Sequence, residues 1–293
     1  MNKKILAAFV VPLFFAAPAL ADDAVIAAHP VVWHIHTFDH EITLLGSVHM
    51  LPANMNWLTP DVMHAIRRSD VFVFEVPTDG TSQAILNGAI NARGSLPSGQ
   101  SLRAMLPPNV QADYDAAIAT EHLSASVTDR EQPWLASLQL SLADTMNRNY
   151  YPDAGVDYVL MNWATGHNRQ VRYLETVDEQ LAMLMPEESD RQLDEFESTL
   201  KQVGSQKDVD PMVQAWSDGD VNKLSSLIDS DFADHPDAKK RLLTDRNRRW
   251  ASQIEQMAYQ EHSFFVAVGA AHLTGPDGVP ALLRKDGFRV EGP

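Results

Sequence analysis

The chain has 293 residues and a formal charge of −16, from 23 lysines and arginines against 39 aspartates and glutamates. Hydrophobic residues make up 45% and charged residues 21%, with 14 glycines, 17 prolines and no cysteine. This balance excludes a collagen-like, disulfide-stapled or wholly disordered chain, and so acidic a body is repelled by phosphate backbones, so nucleic acid is not an expected partner.

Met1 to Ala21 reads as a secretory leader. Lys3 and Lys4 give a basic start, Ile5 to Ala17 an apolar run, and Ala19-Leu20-Ala21 a small-residue cleavage site. The apolar run is too short to span about 30 Å of hydrocarbon. No cysteine follows it for lipid attachment. The expectation is a signal peptide over 1–21 cleaved after Ala21, no stable membrane insertion afterwards, and a periplasmic or secreted product. Residues 22–293 then form a single domain, free of thiols as suits an oxidising compartment.

Val31 to His36 and Ile42 to Leu45 are β-rich runs around a polar turn, which predicts a hairpin. Thr59 caps a helix that starts at Pro60. Val71-Phe72-Val73-Phe74 is continuously apolar, as a parallel strand buried on both faces requires. A helical stretch from about 80 to 165 follows, with breaks at Gly94 to Gly99 and at Pro107-Pro108; its last helix is Val156 to Ala164. Val171 to Leu174 is a short strand, and residues 178 to 255 are again helical and charged, including Glu187 to Lys201 and Asp245 to Gln256. Phe264 to Val268 is a further core strand. A helix near Gly278 to Lys285 and a strand at Phe288 to Val290 close the chain. The fold class read from this order is α/β: a largely parallel, mixed central sheet with flanking helices and a large helical insertion between about 80 and 260.

One pattern occurs at both ends of the chain. Leu44-Leu45-Gly46-Ser47-Val48-His49 matches Ala267-Val268-Gly269-Ala270-Ala271-His272, each an apolar strand running into Gly-x-x-His. Open α/β sheets bind ligands beyond the carboxyl ends of their strands. The first ionisable groups after the four predicted core strands are His49, Glu75, Glu175 and His272. Parallel neighbouring strands would set two imidazoles and two carboxylates along one edge. The glycines let the chain turn sharply there and allow close backbone approach. Two histidines with one or two carboxylates can hold a divalent cation with open positions, which would activate water for hydrolysis. Without a metal, one histidine serves as general base with a carboxylate to orient it. Arg246, in Asp245-Arg246-Asn247-Arg248-Arg249-Trp250, could reach the crevice to bind a substrate carboxylate or an oxyanion. Asp157, a helix-start residue, and Trp134, a core residue, are secondary candidates for the site. His34 and His36 share a strand face, which reads as an exposed hairpin face. No His-Glu-x-x-His, Gly-x-Ser-x-Gly, Walker or Gly-x-Gly-x-x-Gly motif is present.

Several of these pieces occur in an order that resembles the TraB/GumN family: Trp33, Leu45 to His49, Phe74-Glu75, Pro133-Trp134, Gly155-Val156-Asp157, Leu174-Glu175-Thr176 with Glu179-Gln180, Arg246-Asn247 and Val268 to Leu273. The wider relatives of that family include Tiki-type metalloproteases, erythromycin esterase-like enzymes and haem-binding ChaN-like proteins. The resemblance covers essentially the whole mature chain. It implies a metal-dependent hydrolytic site on His49, Glu75 and His272, extended to Glu175 as a ligand and to Arg246 as a substrate contact. The expected cofactor is one divalent ion, Mn²⁺, Co²⁺ or Zn²⁺, and the expected partner a peptide or small-molecule substrate. The alternative expectation is a binder of haem or another small ligand, with the Met183-Leu184-Met185 stretch lining an apolar pocket, or a regulatory interaction protein using the acidic helices.

Overall fold

The computed structural model describes residues 24–78, 80–184, 189–204, 210–233 and 236–293. The leader expected at 1–21, the acidic pair Glu187-Glu188 and Met185 lie outside the described residues. Two compact units make up the chain. One gathers Pro77–Tyr150 with Thr176–Asp208, and the other gathers residues 24–76, Tyr151–Glu175 and Val209–Pro293.

The second unit is built on a six-stranded mixed sheet. Its strands are β1 (Val32–His36), β2 (Glu41–Ser47), β3 (Val71–Phe74), β4 (Gln170–Tyr173), β5 (Phe264–Gly269) and β6 (Val290–Glu291), in the spatial order β6-β1-β2-β5-β3-β4. The predicted hairpin is present: β1 and β2 pair antiparallel with Val32 opposite Leu45 and His36 opposite Glu41. The four strands β2, β5, β3 and β4 are mutually parallel. β5, last of the four in the chain, lies between β2 and β3, so the two Gly-x-x-His strands are direct neighbours. Gly46 stands opposite Val268 and Ser47 opposite Gly269.

Four helices matter for the sheet: α1 (Pro60–Arg68), α2 (Val156–Gly166), α3 (Asp245–Met257) and α4 (Val279–Lys285). α1 begins as the sequence requires, with Pro60 in its first turn and the Thr59 hydroxyl accepting the Val62 N–H at 3.3 Å. Arg67 and Arg68 fall in its last turn, where positive charge is favoured. The continuous apolar runs of the parallel strands are explained by cover on both faces. Val71, Val73, Phe264 and Val266 join a core with Trp250, Ile254 and Leu283 of α3 and α4. Phe72 lies on Phe265, ring centroids 5.5 Å apart, and against Trp163 of α2 at 5.4 Å.

The first unit is helical. Helices Pro108–Thr120, Pro133–Asn147 and Ser189–Gln202 enclose a core that includes Leu102, Tyr114, Ile118, Leu140 and Phe196. Trp134 is buried, as a core residue should be. Among the described residues no helix is long and apolar enough to cross a membrane.

Candidate functional site

Taken across the sheet, the carboxyl ends of β2, β5, β3 and β4 carry His49, His272, Glu75 and Glu175 in that spatial order. All four belong to the sheet-bearing unit, and the loops that carry them are held by specific contacts.

The first Gly-x-x-His turn is clamped against the start of α2. The Val156 N–H donates to the Val48 carbonyl at 3.0 Å, which brings Gly155 directly over the His49 backbone. A Cβ on Gly155 would stand 2.0 Å from the His49 carbonyl oxygen. Since Gly155 has φ −63° and ψ 149°, a conformation open to any residue, glycine is required here for proximity and not for backbone geometry. Two residues beyond Gly155, Asp157 sits in the first turn of α2, where the helix dipole favours a carboxylate. Its Oδ2 accepts from His49 Nδ1 at 2.6 Å. His49 Nε2 has no hydrogen-bond partner among the described residues, and the side chain is 15% exposed. Burial pushes the His49 pKa down, but the charge and hydrogen bond of Asp157, with a contribution from Glu75, outweigh it, so the net direction is upward.

The second turn holds its histidine in the opposite state. His272 Nδ1 donates to Asn247 Oδ1 at 2.5 Å, and Asn247 Nδ2 donates to the Asp277 carbonyl, which fixes the amide orientation. His272 Nε2 must then accept, and the N–H of Arg246 Nη1 lies 3.1 Å away. His272 is fully buried against Trp250, ring centroids 4.3 Å apart. Burial lowers its pKa well below the usual histidine value, and the charges of Arg246 and His49 lower it further. It is a neutral imidazole with its proton on Nδ1.

Arg246 reaches this place because α3 buries one stripe, Arg246, Asn247, Trp250, Ala251, Ile254 and Met257. The charged stretch around it therefore conceals a core position. Its guanidinium is fully buried, with Cζ 4.4 Å from the Trp250 ring centre. Nε donates to Glu175 Oε1 at 2.9 Å, and Nη2 donates to Glu175 Oε2 at 2.9 Å and to Glu75 Oε2 at 2.8 Å. Nη1 faces the Leu242 carbonyl at 3.3 Å and His272 Nε2. Leu242 lies in the π-helical turn Lys240–Thr244 that precedes α3. All five N–H bonds are thus engaged within the protein, leaving none to offer an oxyanion or a substrate carboxylate in this arrangement. Arg249 adds a bond to Glu175 Oε1 at 3.1 Å while remaining half exposed. Glu75 Oε1 accepts the Gly269 N–H at 2.6 Å, and a Cβ on Gly269 would stand 3.2 Å from that oxygen.

The structure therefore gathers His272, Glu75, Glu175 and Arg246 into one buried network, and sets His49 beside it, coupled to it electrostatically and paired with Asp157. Sequence reasoning named Asp157 without pairing it to His49, and missed two participants: Asn247 as the partner of His272, and Trp250 beneath the guanidinium. The i, i+1, i+4, i+8 burial spacing of Arg246, Asn247, Trp250 and Ile254 was available as a signal for the last two. His34 and His36 stay on the outer hairpin face, as expected, where Glu41 and Glu291 pair with them. The four proposed metal ligands do not present a free donor set. Among the described residues no group of three or more histidine, aspartate or glutamate side chains is arranged to hold a metal ion.

The sequence signature of the TraB/PrgY/gumN family matches residues 31–292. The chain belongs to the TraB/PrgY/gumN family. The family match thus covers every strand of the sheet and both Gly-x-x-His turns. Two curated relatives are the uncharacterized proteins YbaP of Escherichia coli (strain K12) and of Shigella flexneri, each 22% identical over 242 residues, 82% of this chain and 87% of the relative. No solved structure matches.

Proposed function

We propose that this TraB/PrgY/gumN protein is a hydrolase of a carboxylic ester or amide, with His49 as its general base. The observation that carries the reading is the 2.6 Å bond from His49 Nδ1 to Asp157, which leaves Nε2 as the basic atom of a partly exposed imidazole at a strand end. In the reaction, Nε2 takes a proton from water as the water oxygen attacks the carbonyl carbon. The resulting imidazolium, stabilised by Asp157, then gives that proton to the leaving oxygen or nitrogen as the bond to carbon breaks. Glu75, His272 and Arg246 form the rigid floor against which the His49 turn is set.

The divalent ion expected from the sequence does not fit the residues as they stand. Glu75 and Glu175 accept from Arg246, Arg249 and the Gly269 amide, and His272 Nε2 faces an arginine N–H. A periplasmic location is part of the proposal and rests on the leader-like residues Met1 to Ala21.

The test is hydrolysis of a panel of aryl esters, alkyl esters and peptides by the purified protein. His49→Gln should lower the turnover of any accepted substrate by about 10²–10⁴-fold with an unchanged melting curve. A His49→Gln protein as active as the original would reject the assignment. N-terminal sequencing of protein recovered from the periplasm should begin at Asp22.

A further inference from the structure

The donors that would surround a metal ion in this chain already surround something else. Between Glu75, Glu175 and His272 lies the guanidinium of Arg246, fully buried, bonded to all three and stacked on Trp250. The formal charges balance as well: two carboxylates face two guanidiniums, those of Arg246 and Arg249. An arginine keeps its charge at every working pH, so the balance does not relax by deprotonation. A divalent ion entering this ring would meet a fixed positive charge at contact distance and would have to displace charge-assisted bonds of 2.8 to 2.9 Å. His272 adds no free donor, because the only lone pair on that ring points to Arg246 Nη1.

We infer that Arg246 is the resident cation of this site: its guanidinium takes the position that a divalent ion would otherwise hold among Glu75, Glu175 and His272, and the protein hydrolyses its substrate without a metal. Arg246 is a positioning residue in this scheme. It draws the ends of β3, β4 and β5 together and holds His272 as a neutral acceptor. Only the activity part of the inference rests on the hydrolase reading; the binding part stands apart from it.

The experiment is a metal titration of the whole purified protein, following free Mn²⁺ by electron paramagnetic resonance and bound Zn²⁺ and Co²⁺ by elemental analysis after dialysis. The unaltered protein should retain no ion above background, and chelator should leave hydrolysis unchanged. Arg246→Ala should gain one ion per chain, with affinity tighter by about a hundredfold or more, since the repelling charge is gone and three donors are released. Adding Glu75→Gln to Arg246→Ala should abolish the gain. A role for Arg246 in folding alone predicts no such gain. Arg246→Ala leaves two buried carboxylates short of a partner, so the charge-balanced Arg246→Ala/Glu175→Gln variant is made alongside and both are checked by circular dichroism. An unaltered protein that holds one ion per chain and releases it on Glu75→Gln overturns the inference, whatever the variants do. So does a folded Arg246→Ala protein that gains no affinity; the charge-balanced variant, which lacks Glu175 as a donor, shows whether the fold survives loss of the guanidinium. Failure to find any hydrolysed substrate would count against the proposed function and would leave these binding results intact.

Discussion

Gly155→Ala should separate His49 from Asp157 without touching either side chain. The added Cβ would lie 2.0 Å from the His49 carbonyl oxygen and 2.6 Å from its carbon. Real Cβ atoms come no nearer than about 3 Å, so the His49 turn and the start of α2 must part by about 1 Å. That opening stretches the 2.6 Å bond between His49 Nδ1 and Asp157 Oδ2 towards the edge of hydrogen-bond range, and the 3.0 Å bond between Val156 N and the Val48 carbonyl beyond it. Overpacking of this kind costs about 1–3 kcal/mol. The backbone dihedrals of Gly155 add nothing to this, because alanine adopts them without strain. Two measurements read the effect. Nuclear magnetic resonance titration should show the His49 pKa falling, since the upward influence of Asp157 weakens while burial still pushes down. Turnover of an accepted substrate should fall by about a hundredfold, the typical cost of a 1 Å misplacement. A Gly155→Ala protein with unchanged His49 titration and unchanged stability would show that the turn is not clamped as described.

Asp157→Asn should lower the pKa of His49, whose net upward shift depends on that carboxylate. A general base works when deprotonated, so the rise of turnover with pH should move to lower pH even as the maximal rate drops; a rise displaced to higher pH would contradict the pairing. Trp216→Phe removes the buried 2.7 Å bond from the indole N–H to the Gly46 carbonyl and should cost about 1–3 kcal/mol in urea unfolding; no loss would mean that this contact does not anchor the first Gly-x-x-His turn. Glu131, in the helical unit, is buried with one oxygen bonded to Gln139 Nε2, and burial raises its pKa from 4.5 to about 7. The folded form therefore holds a proton that the unfolded chain releases between those values, so stability is full below about pH 4.5 and declines up to about pH 7. Glu131→Gln should recover up to about 3 kcal/mol at pH 8 and little at pH 4.5; an equal effect at both values would remove burial of the charge as the cause.

The sheet was legible because its physics is local. Strands covered on both faces must be apolar throughout, and Val71 to Phe74 and Phe264 to Val268 announce themselves in that way. The carboxyl-end rule then predicted the row that the structure contains, His49, His272, Glu75 and Glu175. What the sequence concealed lies in side-chain partnerships over long separations. His49 and Asp157 are 108 residues apart, and an aspartate after Gly-Val reads equally well as a favourable charge in a first helical turn. Arg246 was expected at the crevice, but its charged neighbours hide its full burial, which only the placement of Trp250 and Ile254 on its side of α3 reveals. The split of the helical middle was equally hidden, since helices of the two units share the same amphipathic period.

The two Gly-x-x-His turns show why a repeated motif need not mean a repeated role. Each begins at a parallel strand end, and each ends in an imidazole whose Nδ1 donates its proton. The acceptors differ: a carboxylate on α2 for His49, an amide on α3 for His272. A carboxylate stabilises the charged ring and an amide does not, so the first histidine is biased towards taking up a proton and the second against it. Arg246 sharpens the contrast by closing the second ring's lone pair while lowering both pKa values. Neighbouring titratable groups pushed apart in this way mark a division of labour. In the proposed hydrolysis His49 moves the proton, and His272 keeps the network behind it in one protonation state. The same turn thus delivers two rings of different proton affinity, because Asp157 faces one and Asn247 the other.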